Sequence, residues 1–185
     1  MPIESSKVAI IYCSVHHKNT EKLIQAISKK YPDVLLVDAT KAVLINLESY
    51  NLIGVASGIF YGKMHKSLLK FLENNLQSHR KAFIMYTSGA ENENYGKEAE
   101  SIIREKNCTY LGKYSCRGYD TFGPFKLIGG IQKKHPTENE INDAVRFFEN
   151  IINRQNLKNT MLKAILKKKN NKEHNRPSIR PIGVR

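Results

Sequence analysis

Short apolar runs alternate with amphipathic stretches along most of this 185-residue chain. The runs have the length of buried strands and contain β-branched or aromatic residues, whereas the stretches between them repeat apolar residues at helical spacing. Alternation of this kind builds a parallel sheet that is covered by helices on both faces. We therefore predict an α/β fold, with five strands at residues 7–13, 34–37, 52–56, 82–86 and 109–117.

The helices show recognisable start and stop signals. Four of them are predicted, at residues 21–30, 66–76, 96–105 and 138–153. Pro32 marks the end of the first helix, because proline interrupts helical hydrogen bonding. Thr137 precedes the last helix and Glu140 comes three residues later, which is the spacing of a capping box. No period of about 20 to 50 residues recurs, so a repeat solenoid is not expected.

Basic residues are concentrated near the C-terminus. The net charge is +13, and residues 153–185 hold ten Lys or Arg but only Glu173 as an acid. We predict a domain at residues 1–153 and a basic, partly helical or disordered tail at residues 154–185, with residues 167–185 disordered because they contain little apolar material. The residues that could form a short basic amphipathic helix in this tail are Leu157, Met161, Leu162, Ile165 and Leu166.

Composition and motifs narrow the possible functions. Apolar residues make up 41% and charged residues 25% of the chain, which is ordinary for a globular protein. No transmembrane segment is expected, and residues 1–7 lack the apolar core of a secretory signal, so a cytoplasmic location is the default expectation. The chain has no P-loop, no Gly-x-Gly-x-x-Gly and no Gly-x-Ser-x-Gly, which argues against ATP, a dinucleotide and hydrolase chemistry.

Cysteine and histidine suggest neither a metal site nor a disulfide framework. The three cysteines are Cys13, Cys108 and Cys116, and they are not spaced like pairs of metal ligands. We expect them to be reduced and mostly buried thiols. Cys13 ends the first predicted strand, where a buried, inert thiol is expected rather than a nucleophile. The six histidines do not fall at a metal-binding helical spacing with a carboxylate, so solvated or structural roles are expected.

Three loops follow strands of the predicted sheet, at the edge where open α/β sheets bind ligands. The first, residues 14–20, offers hydroxyls, an amide and backbone N–H groups at a helix start, where a phosphate is favoured. The second, residues 57–62, places apolar and aromatic residues between two glycines, and the third runs from Thr87 to Tyr95. Taken alone, the first loop is also consistent with an ordinary capped helix start, the second with aromatic residues that cover the sheet edge, and the third with a glycine turn followed by a helix cap.

Taken together, these loops resemble the flavodoxin family, whose first loop is rich in Ser and Thr and ends in Asn-Thr, here Asn19-Thr20. The pair His16-His17 also occurs in flavodoxin-like proteins, whereas Lys18 replaces the usual glycine. The resemblance covers about residues 7–152 and continues through Gly129-Gly130 to His135-Pro136. It implies a doubly wound sandwich with a five-stranded parallel sheet in the order 2-1-3-4-5.

The resemblance also implies an FMN cofactor and its contacts. The first loop would hold the phosphate, and Phe60, Tyr61 or Tyr95 would stack on the ring. A carbonyl of the second loop would meet the flavin N5–H, and the N–H groups of Ser88 and Gly89 would bind the pyrimidine end. The implied cofactor-binding residues are Ser14, Val15, His16, His17, Lys18, Asn19, Thr20, Ser57, Gly58, Ile59, Phe60, Tyr61, Gly62, Thr87, Ser88, Gly89 and Tyr95.

Three functions are compatible with these features. The resemblance favours an electron-transfer flavoprotein, and because the domain is not acidic like typical flavodoxins, its redox partner is expected to be acidic. The second is an FMN-dependent reductase of quinones or other small acceptors, with residues 119–125 as a roof over the flavin. The third is a flavin-free binding module whose tail holds an anionic membrane or nucleic acid, although a solvated tail is favoured over such a role.

Overall fold

The computed structural model describes residues 7–41 and 45–174, and in this part of the chain six strands alternate with four α-helices and one 3₁₀ helix. In chain order they are β1 (Val8–Cys13), α1 (Asn19–Lys30), β2 (Leu35–Asp38), β3 (Leu52–Phe60), β4 (Lys63–Met64), α2 (Lys66–Asn75), β5 (Lys81–Ser88), α3 (Lys97–Glu105), β6 (Thr109–Arg117), the 3₁₀ helix (Gly123–Ile128) and α4 (Glu138–His174).

Five of these strands form one parallel sheet in the order β2-β1-β3-β5-β6. The sixth, β4, has two residues and pairs antiparallel with the end of β3. The five parallel strands are the five that the sequence predicts, and their order confirms the doubly wound 2-1-3-4-5 arrangement. Their carboxyl ends therefore meet at one edge of the sheet.

The two faces of the sheet are covered by different helix pairs. In β1, Ala9 and Ile11 face the cluster that includes α2 and α3, whereas Val8 and Ile10 face α1 and α4. This alternation follows from the two-residue period of a strand. Gly54 in β3 is required by packing, because a Cβ built on it would lie 2.6 Å from the Phe83 ring. Both faces are thus closed by apolar packing.

The last helix is longer than the sequence predicts. Its start is confirmed, because the Thr137 N–H donates to Glu140 Oε2 at 2.6 Å and the Glu140 N–H donates to Thr137 Oγ1 at 3.3 Å. Its predicted end at Asn153 is wrong: α4 continues to His174, so the expectation of disorder is also wrong for residues 167–174.

The reason lies in the local sequence of the tail. Between Asn153 and His174 the chain has neither Gly nor Pro and contains six Lys and three Leu, which are good helix formers. The apolar pattern changes there because the helix leaves the core, not because it ends. Residues 175–185, also predicted to be disordered, lie outside the described residues. None of the described helices is long and apolar enough to cross a membrane.

Two strands also extend further than predicted, into segments that were assigned to loops. β3 continues through residues 57–60 because it pairs with β5 from Leu52 to Gly58 and with β4 at Ile59 and Phe60. β5 includes Thr87 and Ser88, which pair with the last residues of β6. The sequence does not predict the continuation of β3 because Gly58 lies within it, and glycine usually interrupts a strand pattern.

Candidate functional site

A cavity of about 680 Å³ opens at the carboxyl ends of β1, β3, β5 and β6. Four segments line it: the first loop (residues 14–20), the β3–β4 hairpin (residues 58–62), the end of β5 with the residues that follow it, and a segment after β6. All the cofactor-binding residues implied by the sequence line this cavity except Lys18 and Ser57. The three predicted loops are therefore brought together at one place.

The first loop presents backbone N–H groups at the start of α1. Ser14 Oγ accepts the Glu21 N–H at 3.2 Å and so caps the helix from the beginning of the loop. His17 and Lys18 both have a φ of 54°, the left-handed conformation that glycine usually adopts. The N–H groups of residues 15–18 have no hydrogen-bond acceptor in the described part of the chain. They are available to an anion at the positive end of the helix dipole.

Lys18 keeps the glycine-like turn, but its ammonium group lies outside the cavity. The side chain is 74% exposed, and its Nζ lies 3.5 Å from Glu21 Oε1. A lysine is thus compatible with the backbone geometry of the family's glycine, at a conformational cost of about 1 kcal/mol.

Asn19 and Thr20 join the first loop to two other segments. Asn19 Nδ2 donates to the Tyr119 carbonyl at 2.8 Å, and Thr20 Oγ1 lies 2.9 Å from Thr87 Oγ1. Both residues are buried, yet Asn19 Oδ1 has no hydrogen-bond partner among the described residues. An unpaired buried oxygen is costly, so this atom is suited to a hydroxyl or N–H donor from a ligand.

The β3–β4 hairpin supplies the aromatic side of the cavity. Its turn consists of Tyr61 and Gly62, with φ of 50° and 82°. The Phe60 ring lies 5.5 Å from the His16 ring, and the Tyr61 ring, which is 84% exposed, contacts Phe122 edge-on with centroids 4.6 Å apart. Ser57 is buried below the hairpin, where its Oγ accepts the N–H of His65.

His65 fixes the hairpin to α2. Its Nδ1 accepts the Ser67 N–H at 3.2 Å and caps the helix, and its ring lies 5.4 Å from Phe60. Burial lowers the pKa of His65, and the nearby Lys66 and His16 lower it further. These effects favour the neutral imidazole, which is the form that can accept a hydrogen bond at the cap.

The end of β5 approaches the segment after β6 closely. The Gly118 N–H donates to the Ser88 carbonyl at 3.0 Å. A Cβ built on Gly89 would lie 2.8 Å from Asp120 Cβ. Tyr95 follows at the start of α3 and meets Tyr86 edge-on. Glycine at position 89 therefore reflects the close packing of two segments around the cavity.

The segment after β6, residues 118–131, forms the remaining wall, and we call it the roof segment. His17 Nε2 lies 2.8 Å from Thr121 Oγ1, and a bridge between Asp120 and Ile131 closes the segment on itself. The residues that line the cavity but were not among the implied binding residues are Ala90, Gly118, Tyr119, Asp120, Thr121, Phe122, Gly123, Phe125, Lys126 and Ile131.

A signal for this wall was present in the sequence. The last parallel strand was predicted at residues 109–117, so the chain that follows it had to emerge at the same edge as the three loops. That segment also carries aromatic residues among turn formers. The sequence predicts residues 119–125 only as a roof over the flavin and assigns none of them to cofactor binding.

The cavity suits a ligand with one anionic end and one flat, largely apolar part. Free N–H groups and a helix N-terminus lie on one side, and aromatic rings and glycines lie on the other. Its volume is typical of small-molecule sites.

Cys13 is not a candidate nucleophile, because burial, and then the Asp38 carboxylate, raise the pKa of its thiol to about 12.

Comparison with known proteins gives a consistent result. Residues 9–119 match the family model described as a flavodoxin domain. An uncharacterized protein of Methanocaldococcus jannaschii is 40% identical over 149 residues, which cover 79% of this chain and 98% of the relative.

Solved structures show the same fold at low identity. A flavodoxin from the domain Archaea is 18% identical, with a TM-score of 0.59 over 80% of this chain and 97% of that one. A flavodoxin, WrbA-like protein from Agrobacterium tumefaciens is 10% identical, with a TM-score of 0.60 over 82% of this chain and 99% of that one. Rubredoxin oxygen:oxidoreductase from Desulfovibrio gigas is 13% identical, with a TM-score of 0.62 over 83% of this chain and 38% of that one.

Proposed function

This chain belongs to the flavodoxin domain family, and we propose that its cavity holds one FMN and that the protein is an electron carrier. The observation that carries the proposal is the convergence of three separate loops on one cavity that has anion-binding groups at one end and aromatic rings at the other. When bound, the flavin would supply the one- or two-electron redox chemistry. The side chains bind it, orient it and control its access to water.

The first loop would hold the phosphate. The N–H groups of residues 15–18 have no acceptor among residues 7–41 and 45–174 and can donate to an anion, and the dipole of α1 favours negative charge at this point. Asn19 and Thr20 set the position of these donors through their bonds to Tyr119 and Thr87. The first loop therefore acts mainly through its backbone, with the two buried side chains as its supports.

The hairpin and the end of β5 would hold the flavin ring. Phe60 and Tyr61 present aromatic surface to the cavity, and Tyr95 does so from the start of α3. Gly58, Gly62 and Gly89 allow the backbone to come close to a flat ligand, and the carbonyl and N–H groups there are candidates for contacts with the polar edges of the ring. The Tyr61 and Phe122 rings, which contact each other edge-on, lie together in the cavity wall.

An acidic redox partner and a reducing compartment are consistent with this assignment. Apolar side chains are exposed near the cavity at Tyr61, Phe122 and Leu127, and Lys126 lies among them. Exposed apolar side chains of this kind would pack against a partner protein, and the net charge of +13 would favour an acidic one. Cys13, Cys108 and Cys116 are free thiols, as expected for a protein of the cytoplasm.

A second candidate function is reduction of a quinone or another small acceptor at the same flavin. The observation that favours it is the roof segment, which contributes Tyr119, Phe122 and Phe125 to the lining of the cavity. A roof of this kind could hold a flat acceptor against the flavin. Steady turnover with a nicotinamide donor and a soluble quinone would support the reductase, whereas flavin reduction without turnover would support the carrier.

The direct test of the proposal is the identity of the bound flavin. We expect the purified full chain, incubated with a mixture of FMN, FAD and riboflavin and then desalted, to retain one FMN per chain. Absorbance of the flavin and mass spectrometry of the released molecule would measure this. A chain that retains none of the three would contradict the proposal.

A further inference from the structure

The second half of α4 extends beyond the domain. Among the residues of α4 up to 166, whose exposure the structure describes, Gln155 is the last that is buried, and the residues from 157 to 166 are exposed apart from Asn159. The helix runs antiparallel to the strands. Near its start, the Glu140 carbonyl accepts a hydrogen bond from Tyr114, in the second half of β6. Further along, Glu149 accepts one from Tyr31, which follows α1 at the opposite end of the sheet. We call residues 157–174 the α4 extension. It projects from the end of the sheet opposite the cavity.

The α4 extension carries an apolar stripe that nothing in the described structure covers. Its members are between 50% and 62% exposed, and they are Leu157, Met161, Leu162, Ile165 and Leu166. Leu157, Met161 and Ile165 form one row at four-residue spacing, and Leu162 and Leu166 form the neighbouring row. The two rows together make a broad apolar face rather than a narrow coiled-coil seam.

The charge of this segment is almost entirely positive. Residues 154–174 contain seven Lys or Arg and a single acid, Glu173. By helical spacing, Lys158 lies within the stripe, between the positions of Ile165 and Leu162, where its long side chain can reach lipid phosphates, and Lys163 lies on the opposite side of the helix. Two copies of the α4 extension would repel each other, and a nucleic acid would pair with the lysines but leave the apolar face in water. An anionic lipid surface satisfies both the lysines and the stripe.

We propose that the α4 extension docks the protein on a membrane surface rich in anionic lipid. The apolar rows enter the boundary between headgroups and acyl chains, and the lysines contact the lipid phosphates. The cavity opens at the other end of the sheet, so docking leaves its mouth free for a redox partner or a small acceptor. The proposal does not depend on the identity of the cofactor.

Co-sedimentation of the full chain with vesicles tests this proposal. We expect binding to vesicles of equal parts phosphatidylcholine and phosphatidylglycerol, and little binding to pure phosphatidylcholine. Binding should fall at least about tenfold in Met161→Ser/Ile165→Ser, which removes apolar contacts. Binding should also fall about fivefold for each lysine that is replaced in Lys158→Glu/Lys163→Glu.

The matched control is Lys29→Glu/Lys70→Glu, which makes the same charge change at exposed positions of α1 and α2. It should change the vesicle affinity much less than the pair in the α4 extension. All three variants should keep the melting temperature of the parent, because none of these side chains is buried. Thermal unfolding would check this before the vesicle assay.

Three results would overturn the proposal. The first is no sedimentation with anionic vesicles even at low salt, or equal sedimentation with neutral ones. The second is a molar mass of two chains in light scattering that returns to one chain in Met161→Ser/Ile165→Ser, which would assign the stripe to a second copy. The third is binding to duplex DNA without binding to vesicles, which would assign the lysines to nucleic acid.

Discussion

The two ends of the sheet differ in how their segments are held. At the cavity end, hydrogen bonds from His17 to Thr121 and from Asn19 to the Tyr119 carbonyl join the first loop to the roof segment. A third hydrogen bond, between Thr20 and Thr87, joins it to β5. At the opposite end, α4 leaves the domain after Gln155 and continues without a partner in the described structure. A substitution at the cavity end should therefore disturb several segments together, whereas one in the α4 extension should leave the domain unchanged.

The largest effect is expected where the roof segment meets β5. Gly89→Val places a side chain within overlap distance of Asp120, so the two segments must separate. We expect a loss of about 3 kcal/mol in the free energy of unfolding, together with much weaker flavin binding. Urea unfolding and flavin titration would measure the two effects.

Gly112→Ala is the control for this change. Gly112 has a φ of 117°, so alanine is strained there, but no atom lies within 4 Å of the added Cβ. It should reduce stability without changing the flavin affinity of the folded protein. If Gly89→Val left the flavin affinity unchanged as well, the close packing of roof and β5 would have no role in the site.

The next effect concerns the buried hydroxyl pair. Thr20→Val leaves Thr87 Oγ1 without its partner, and we expect a loss of about 1 to 2 kcal/mol in the cofactor-free protein. Thr87→Val should cost a similar amount, and the double variant should cost less than the sum of the two. Unfolding of all four proteins gives the coupling energy directly. Strict additivity would show that the two hydroxyls do not interact.

A smaller, pH-dependent effect is expected at His65. Since its pKa in the folded protein lies below the ordinary value of 6.5, the cap that its neutral ring provides is fully present above pH 6.5. Below that pH the unfolded chain binds the proton more readily than the folded protein does, so the stability falls as the pH falls. We expect a lower melting temperature at pH 5 than at pH 7.

His65→Ser separates this effect from the other histidines. Serine is a favourable N-cap residue and does not titrate in this range. The variant should therefore retain most of the stability at pH 7 and lose part of the pH dependence. A melting temperature that falls equally in both proteins would assign the effect to other groups.

The smallest effect is expected at the far end of α4. A chain that ends at Asn153 keeps the apolar residues of α4 that pack on the sheet and loses the α4 extension. Because Gln155 is the single buried side chain among the described residues that this cut removes, we expect a loss of about 1 kcal/mol and unchanged flavin affinity. Loss of flavin binding in this chain would refute the predicted division into a domain and a tail.

The sequence indicated the fold more completely than the site. Four of the five parallel strands each show an apolar run, and β6, whose sequence is more polar, was predicted with its observed bounds of Thr109 and Arg117. The ends of β3 and β5 were missed because Gly58 and the polar pair Thr87-Ser88 look like loop residues when their pairing partners are unknown. Hydrogen bonding to a neighbouring strand is a long-range property that local composition does not encode.

The site was predictable where it lies next to a strand in the sequence, and less so where it depends on distant contacts. The first loop was identified from its position before α1. Its link to Tyr119 spans a hundred residues, and no local pattern indicates that Asn19 is used to hold the roof segment. Residues 157–166 were expected to form at most a separate short helix, whereas α4 runs through them without a break. The apolar pattern changes at Asn153 because packing on the sheet ends there, and not because the helix ends.

The relative affinity for FMN and riboflavin tests the central claim most directly, because the two ligands differ only in the phosphate. If the free N–H groups of the first loop bind that phosphate, FMN should bind at least about a hundredfold more tightly, as expected for two or more hydrogen bonds to a charged group. Quenching of flavin fluorescence in a titration gives both dissociation constants. Equal affinities would contradict the account, because the start of α1 would then hold no anion.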